Sequence, residues 1–231
     1  MVRTHAHRRF VPGAHFARPI PFKAHRIKGF SPETLERHYE EIYGGAVRRL
    51  NEVESSLAKF GVSLQASSET IDLKTEERAL VNALVLHEVY FDGLGEDGGK
   101  ALDDASLQKA LDLHFGGIDT WWEEIKVLVR SWHGAGGGWI ALSWCPSIGR
   151  LINSTLTSGQ GVSGTHPIFA LDMGEHAFAA DFGTDRLAYA DAVFRSLHWD
   201  RIAARFRIAN DTGGSNDTSP AASDQMTVSE L

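Results

Sequence analysis

The first half of the chain has apolar residues at the spacing of amphipathic helices. After an N-terminal stretch without periodicity, Ser31 is a favourable N-cap and Pro32 suits the first helical position, which predicts a helix over residues 34–50. A second long helix is predicted over residues 75–94, because one stripe of it carries apolar or ring-bearing side chains. These are Leu80, Leu84, His87 and Phe91. A linker at 66–72 joins the two helices into a predicted hairpin.

A glycine-rich break at residues 93–99 separates this hairpin from a segment of mixed character. Short runs of β-branched, aromatic and leucine residues, bounded by turn residues, predict three strands in that segment. The strands lie at 139–145, 151–156 and 168–171. The predicted helices around them cover 102–114, 118–132, the residues from Glu175 to a cut near Gly183, and 191–206.

This order of elements predicts an α+β fold, in which an N-terminal long α-helical hairpin is followed by a mixed domain with a small three-stranded antiparallel sheet surrounded by helices. The predicted organisation has four parts. They are an extended basic arm at 1–29, the helical hairpin at 30–95, a C-terminal α/β domain at 100–209 and a disordered tail at 210–231, which is too polar to fold.

Composition narrows the class of protein. The 231 residues are 42% hydrophobic and 23% charged, which is typical of a globular chain and excludes fibrous and wholly disordered classes. The single cysteine, Cys145, excludes an internal disulfide framework and cysteine-rich zinc sites. No run of about 18 apolar residues occurs, so no membrane span is expected. Arg8 and Arg9 resemble a twin-arginine signal, but no apolar stretch follows them, and we expect a cytoplasmic protein.

Charge is unevenly distributed along the chain. Residues 1–28 hold seven basic side chains and no acid, whereas the remainder up to residue 209 holds 16 bases against 26 acids, within a net charge of −7. An acidic body is unsuited to binding nucleic acid, so no such partner is expected. The basic arm either contacts an anionic partner or is solvated.

Four residues that can bind metal ions lie inside or next to predicted elements. His38 and His87 are on the two long helices, Asp172 follows the third strand, and His176 comes four residues later. A single histidine on an apolar face is typical of a buried core residue. Antiparallel pairing of the helices would bring His38 and His87 together, but spacing alone does not require it.

Several motifs resemble the iron/manganese superoxide dismutase family. Residues 172–178 have the sequence Asp-Met-Gly-Glu-His-Ala-Phe, which is similar to the Asp-x-Trp-Glu-His-Ala-Tyr signature of that family. Residues 30–39 resemble its first metal-binding helix, and 87–91 occupy the place of its second ligand. Further similarities occur, in order, at 19–22, 136–139 and 198–200.

The resemblance implies a set of site residues. His38, His87, Asp172 and His176 would bind one Fe or Mn ion per chain, with Asp172 and His176 also catalytic. Tyr90, Trp139 and Glu175 would support these ligands. The implied reaction converts superoxide, a small-molecule substrate, to oxygen and hydrogen peroxide. The implied assembly is a homodimer or homotetramer in which Glu175 of one subunit pairs with His176 of the other.

The sequence departs from the family around these ligands. Ala46 replaces a tyrosine, Gly174 a tryptophan, Ala83 the glutamine of iron enzymes and Ala179 a subunit-bridging tyrosine. The glutamine of manganese enzymes aligns with Ile152 or Asn153, of which only Asn153 can serve. Two outcomes stay open. The pocket is either filled by neighbours such as Trp144, Phe169 or Phe178, or it is widened.

A widened pocket favours an alternative function, a metal-dependent oxidoreductase on the same scaffold that acts on a larger organic substrate. A non-catalytic relative of the family is a third possibility. Four intact ligand positions argue against it.

Overall fold

The computed structural model describes residues 11–60, 68–99, 101–134 and 136–213. Within them, two long helical segments precede a three-stranded antiparallel sheet that is surrounded by further helices. The predicted α+β fold class is therefore confirmed. No helix in these ranges is long and apolar enough to cross a bilayer.

The first long helix contains a turn that sequence patterning does not predict. It consists of α1 (Pro32–Arg37), a π-helical turn (His38–Tyr43) and α2 (Gly44–Phe60). Ser31 caps it as expected, because its hydroxyl accepts a hydrogen bond from the Thr34 backbone N–H at 3.3 Å. The glycines at its centre keep helical geometry, so the helix runs ten residues beyond its predicted end.

The second long helix, α3 (Ser68–Gly93), begins earlier than predicted. The predicted linker at 66–72 is wrong from Ser68 onward, because the first turns of α3 are mostly exposed and need no apolar stripe. Glu69 in the first turn suits the positive end of the helix dipole. α3 packs antiparallel to α2, which forms the hairpin.

The sheet lies in the C-terminal part and follows α4 (Ala105–Phe115) and α5 (Ile118–Arg130), which both pack against it. Its strands are β1 (Gly138–Cys145), β2 (Arg150–Thr157) and β3 (His166–Asp172), in the order β2-β1-β3 with both pairs antiparallel. β1 is central and almost wholly buried, and its sequence is accordingly apolar apart from Ser143. A register shift between Leu142 and Ser143 interrupts the pairing of β1 with β3.

Three helices complete the fold. They are α6 (Glu175–Phe182), α7 (Arg186–Arg195) and α8 (Trp199–Gly213). The helical pattern predicted to continue through 191–206 is interrupted between α7 and α8. Ser196 leaves helical geometry, and the next residue, Leu197, forms an isolated bridge with Leu94. α8 includes the first four residues of the predicted tail, and residues 214–231 lie outside the described part of the chain.

The described part of the basic arm is anchored to α2. The Asn51 side chain accepts a hydrogen bond from the His15 backbone N–H at 2.8 Å and donates one to its carbonyl at 2.9 Å. The buried Glu54 carboxylate accepts the Gly13 N–H at 2.8 Å and contacts the His15 ring. Three residues further along the arm, the Arg18 backbone N–H donates a hydrogen bond to the Tyr43 hydroxyl at 2.9 Å. The arm therefore reaches the helix that carries His38.

Candidate metal centre

His38 lies at the first position of the π turn, with its side chain fully buried. Neither ring nitrogen has a hydrogen-bond partner among the described residues. Nε2 lies 3.1 Å from Oδ2 of Asp172, but at an angle unsuited to a hydrogen bond. Since an unpartnered buried polar group is costly, this nitrogen is positioned for a ligand that the protein itself does not supply.

His87 lies on the inner face of α3 and is oriented by the helix that carries it. Its Nδ1 is 2.7 Å from the carbonyl oxygen of Ala83, one turn earlier, so Nδ1 carries the proton and Nε2 presents its lone pair. Nε2 is buried, has no partner within the described residues and lies 3.6 Å from Oδ2 of Asp172. A backbone carbonyl that fixes the tautomer in this way is typical of metal-binding histidines.

Asp172 ends β3, and the backbone that follows it fixes its carboxylate. The Gly174 N–H donates to Oδ1 at 2.8 Å, which turns Oδ2 toward the three imidazoles. The side chain is buried, and Oδ2 lies 2.9 Å from Nε2 of His176.

His176 is in the first turn of α6 and keeps 34% of its side-chain surface exposed. Its ring lies against the Cα of Gly174. A Cβ at that position would be 2.3 Å from Cε1 of His176, far inside van der Waals contact. Glycine at 174 is therefore what allows the His176 ring to reach Asp172. A tryptophan there, as in the family signature, is incompatible with this position of the ring.

The four side chains together fit a metal ion. Three imidazole nitrogens and one carboxylate oxygen lie within 4.8 Å of one another. Atoms that each bind one ion at about 2.0–2.2 Å are ~3–4 Å apart, so only small shifts bring this set into coordination. Mixed imidazole and carboxylate donors suit Fe and Mn, and two of the nitrogens are buried without another partner.

Burial sets the charge state of the inner ligands. Loss of water lowers the pKa of His38 and lowers that of His87 to about 4, even though the Asp172 carboxylate opposes the change. For Asp172, burial alone would raise the pKa, but the His176 and His38 rings outweigh it and hold this pKa well below its usual range. At neutral pH the centre presents neutral His38 and His87 beside an ionised carboxylate, the forms that bind metal.

Two of the three predicted supporting residues contact the ligands. The Trp139 ring meets that of His87 edge-on at 4.8 Å between centroids, and the Tyr90 ring lies 5.2 Å from His38. Both side chains are buried. Glu175 is instead exposed, beside His176 on α6.

Sequence reasoning missed Tyr43 as a support for the centre. Its ring stacks on His87 with centroids 5.9 Å apart, and its buried hydroxyl donates to Glu88 at 3.1 Å. Arg18 completes the cluster, because its guanidinium lies 3.0 Å from the same carboxylate. The π turn places Tyr43 five residues after His38 on the side that faces α3, and helical periodicity of 3.6 does not reveal this.

The structure does not support the possibility that Asn153 supplies the missing amide. Its side chain accepts a hydrogen bond from Trp121 Nε1 at 3.0 Å and donates to Glu124 at 2.9 Å, both on α5. It therefore points away from the four ligands. Successive side chains of β2 point to opposite faces of the sheet, so an alignment that differs by one residue places a different side chain on the face toward the four candidate ligands.

The pocket beside the ligands is open. A cavity of about 290 Å³ is bordered by Ala46, Ala83, His87, Asp172 and His176, among others. The three large side chains considered as fillers are occupied elsewhere. Trp144 packs on Phe206, Phe169 on Trp121 and Phe178 on Tyr189.

Comparison with known proteins identifies the family. Residues 103–205 match the family model for iron/manganese superoxide dismutases, C-terminal domain. The superoxide dismutase [Fe] of Cupriavidus metallidurans is 37% identical to this chain, over 83% of the chain and 96% of the relative. That of Aquifex pyrophilus is 32% identical, over 81% and 89%. The superoxide dismutase [Mn] 2 of Halobacterium salinarum is 29% identical, over 76% and 86%. The chain belongs to the iron/manganese superoxide dismutase family.

Proposed function

We propose that this protein is a superoxide dismutase, which converts two superoxide ions and two protons to oxygen and hydrogen peroxide at a mononuclear centre. Its ligands would be His38, His87, Asp172 and His176. The convergence of these four side chains within 4.8 Å is the observation that supports the proposal most strongly. When bound, an Fe or Mn ion supplies one-electron exchange between its +3 and +2 states.

The protein's own contribution is to hold the donors in fixed protonation states. The Ala83 carbonyl keeps the proton of His87 on Nδ1, and the Gly174 N–H holds Oδ1 of Asp172. Oδ1 keeps a second lone pair, which would accept a hydrogen bond from a water molecule beside the bound metal. Asp172 would in this way hold a proton donor beside the substrate while its own carboxylate stays ionised.

We also propose that a second subunit covers His176. A ligand histidine with a third of its surface exposed is unusual in a centre whose other donors are buried. Glu175 is exposed next to it, and the same depression is lined by Arg37 and Asp181. Pairing of Glu175 with His176 across a two-fold axis would bury both and satisfy the imidazole. Sedimentation of the wild-type protein and of Glu175→Ala tests the pairing, and an unchanged dimer in the variant would contradict it.

The remaining proposals concern where the protein works. The acidic composition of residues 29–209 supports a small-molecule substrate and no nucleic-acid partner, and we propose that the enzyme works in the cytoplasm. Fractionation of cells that express the full chain tests the location.

A second candidate function is oxidation of a larger organic substrate at the same centre. The open cavity favours it, because superoxide does not need that volume. The coverage of dismutase relatives over more than four fifths of the chain favours dismutation, which is our conclusion.

The deciding experiment combines metal analysis with a direct assay of superoxide loss. Purified protein is expected to hold about one Fe or Mn per chain and to remove superoxide catalytically. His176→Ala should lose both the metal and the activity. Full metal loading without superoxide removal would refute dismutation and favour the second candidate. Metal retention by His176→Ala would refute the ligand set.

A further inference from the structure

The cavity beside the four ligands runs along one face of α3. It extends from Glu76 and Ala79 to His87, and the glycine-rich loop at 136–138 closes its far side. Ala79 and His87 are eight positions apart and so about 12 Å apart along the helix axis, which makes the cavity long as well as open. Its volume is about 290 Å³.

This space persists because the side chains around it are small. Ala46 on α2 and Ala83 on α3 line it together with the three glycines at 136–138. The apolar wall between them consists of Ile42, Leu80 and Trp139. A dry apolar cavity of about 150 Å³ is enough to hold benzene in a protein core. A six-membered ring therefore fits here with room for a substituent.

The side chains that line the cavity offer an organic anion no cation of their own. Its ionisable lining residues are Glu76, His87, Asp172 and His176, and no lysine or arginine is among the described residues that line it. Glu76 is paired with Arg49, whose Nε lies 2.6 Å from Oε1 and whose guanidinium also contacts Oε2 at 2.9 Å. A large carboxylate would thus meet the ionised Asp172 and a Glu76 that is already paired, and its only attraction would be to a metal ion held by the four ligands.

Hydrogen-bonding groups lie at both ends of the cavity and apolar groups lie between them. The inner end has the Asp172 carboxylate, an acceptor, and the outer end has the side chains of Ser158 and Gln160. A ligand that is apolar in the middle and carries a hydroxyl at one or both ends complements this arrangement.

We propose that the cavity binds a neutral hydroxy-aromatic molecule of the phenol or hydroquinone class, with its ring against Leu80 and Ala83 and a hydroxyl toward Asp172. This site goes beyond dismutation and does not depend on it, because superoxide needs none of the apolar wall. It would make the protein a receptor for a phenolic compound at the entrance of its own centre.

The test uses the full-length, metal-loaded protein with phenol as probe and benzoate as a charged control of similar size. Titration calorimetry is expected to show saturable phenol binding at one site, with benzoate at least tenfold weaker. In the Mn-loaded protein, the ring protons of phenol should also show paramagnetic broadening, which reports their closeness to the ion. Equal binding of benzoate would overturn the charge argument, and absence of saturable phenol binding would overturn the site.

Filling variants locate the binding. Ala83→Leu and Ala46→Leu should each weaken phenol binding at least tenfold, because each adds bulk from a different wall. Ala58→Leu, at an exposed position of the same helix as Ala46, should leave it unchanged. Two variants are needed because Ala83 also orients His87 through its carbonyl. Phenol binding that persists in both would place the ligand elsewhere and refute the proposal. If the protein removes superoxide but does not bind phenol, only this site is refuted. If it binds phenol but does not remove superoxide, only the proposed function is refuted.

Discussion

Replacing Gly174 with alanine is expected to loosen the metal without unfolding the protein. The backbone there has φ −74° and ψ 141°, which any residue adopts, so alanine introduces no backbone strain. The added Cβ would instead lie 2.3 Å from Cε1 and 2.7 Å from Nδ1 of His176. Ordinary carbon contacts need about 3.5 Å, so the ring must move by ~1 Å.

That displacement is large compared with what a metal centre tolerates. It breaks the 2.9 Å contact between His176 and Asp172, and ligand distances in such sites vary by only about 0.2 Å. We expect a loss of about 10–100-fold in metal affinity, the range for changes that misorient a ligand. This corresponds to about 1.4–2.7 kcal/mol.

The assay is competition with a chelator, followed by metal analysis, with thermal unfolding of the metal-free protein measured in parallel. Gly45→Ala is the matched control, because its Cβ would meet only the end of Arg48 at 3.8 Å. If Gly174→Ala holds metal as tightly as Gly45→Ala, the reasoning about the His176 ring is refuted.

Three further outcomes are expected. Tyr43→Phe removes the hydrogen bonds of this hydroxyl with the Arg18 backbone N–H and with Glu88 and should cost about 0.5–1.5 kcal/mol in unfolding by denaturant; Tyr39→Phe on the same turn is the control, and equal losses would contradict the assignment. In metal-free protein, the pKa of His87 is about 4 in the folded state and near 6.5 in the unfolded state, so the neutral ring favours folding fully above pH 6.5. The free energy of unfolding should therefore fall by about 2–3 kcal/mol between pH 6.5 and pH 4.5, and a flat profile would contradict this. Asn153→Ala should cost about 1–2 kcal/mol of stability and leave metal content and superoxide removal unchanged, and a loss of metal would return Asn153 to the centre.

The sequence pattern was enough to predict the fold class, because the strands are short runs of β-branched, aromatic and leucine residues bounded by turn residues. Helix boundaries were harder to predict where the pattern of apolar side chains does not mark them. The exposed start of α3 at Ser68 carries no apolar stripe, and the π turn at His38–Tyr43 breaks the period on which the prediction depends.

The candidate ligands were predicted from resemblance and not from spacing. His38 and His87 look like two ordinary core histidines, and only packing of the π turn against α3 makes them neighbours, with ring centroids 5.2 Å apart. The residues around the candidate ligands were harder to predict from the sequence than the ligands themselves. Tyr43 is brought to His87 by a helical irregularity, and the consequence of Gly174 depends on a ring that approaches from the next turn of the chain.

The glycines at 137 and 174 face each other so closely that a Cβ on the first would lie 3.1 Å from the Cα of the second. Gly137 also has φ +88°, which other residues adopt only with strain. A mutational library that randomises either codon alone would therefore return mostly inactive clones. Reshaping this catalytic entrance by directed evolution would have to begin from the helical walls, where small side chains can be enlarged one at a time.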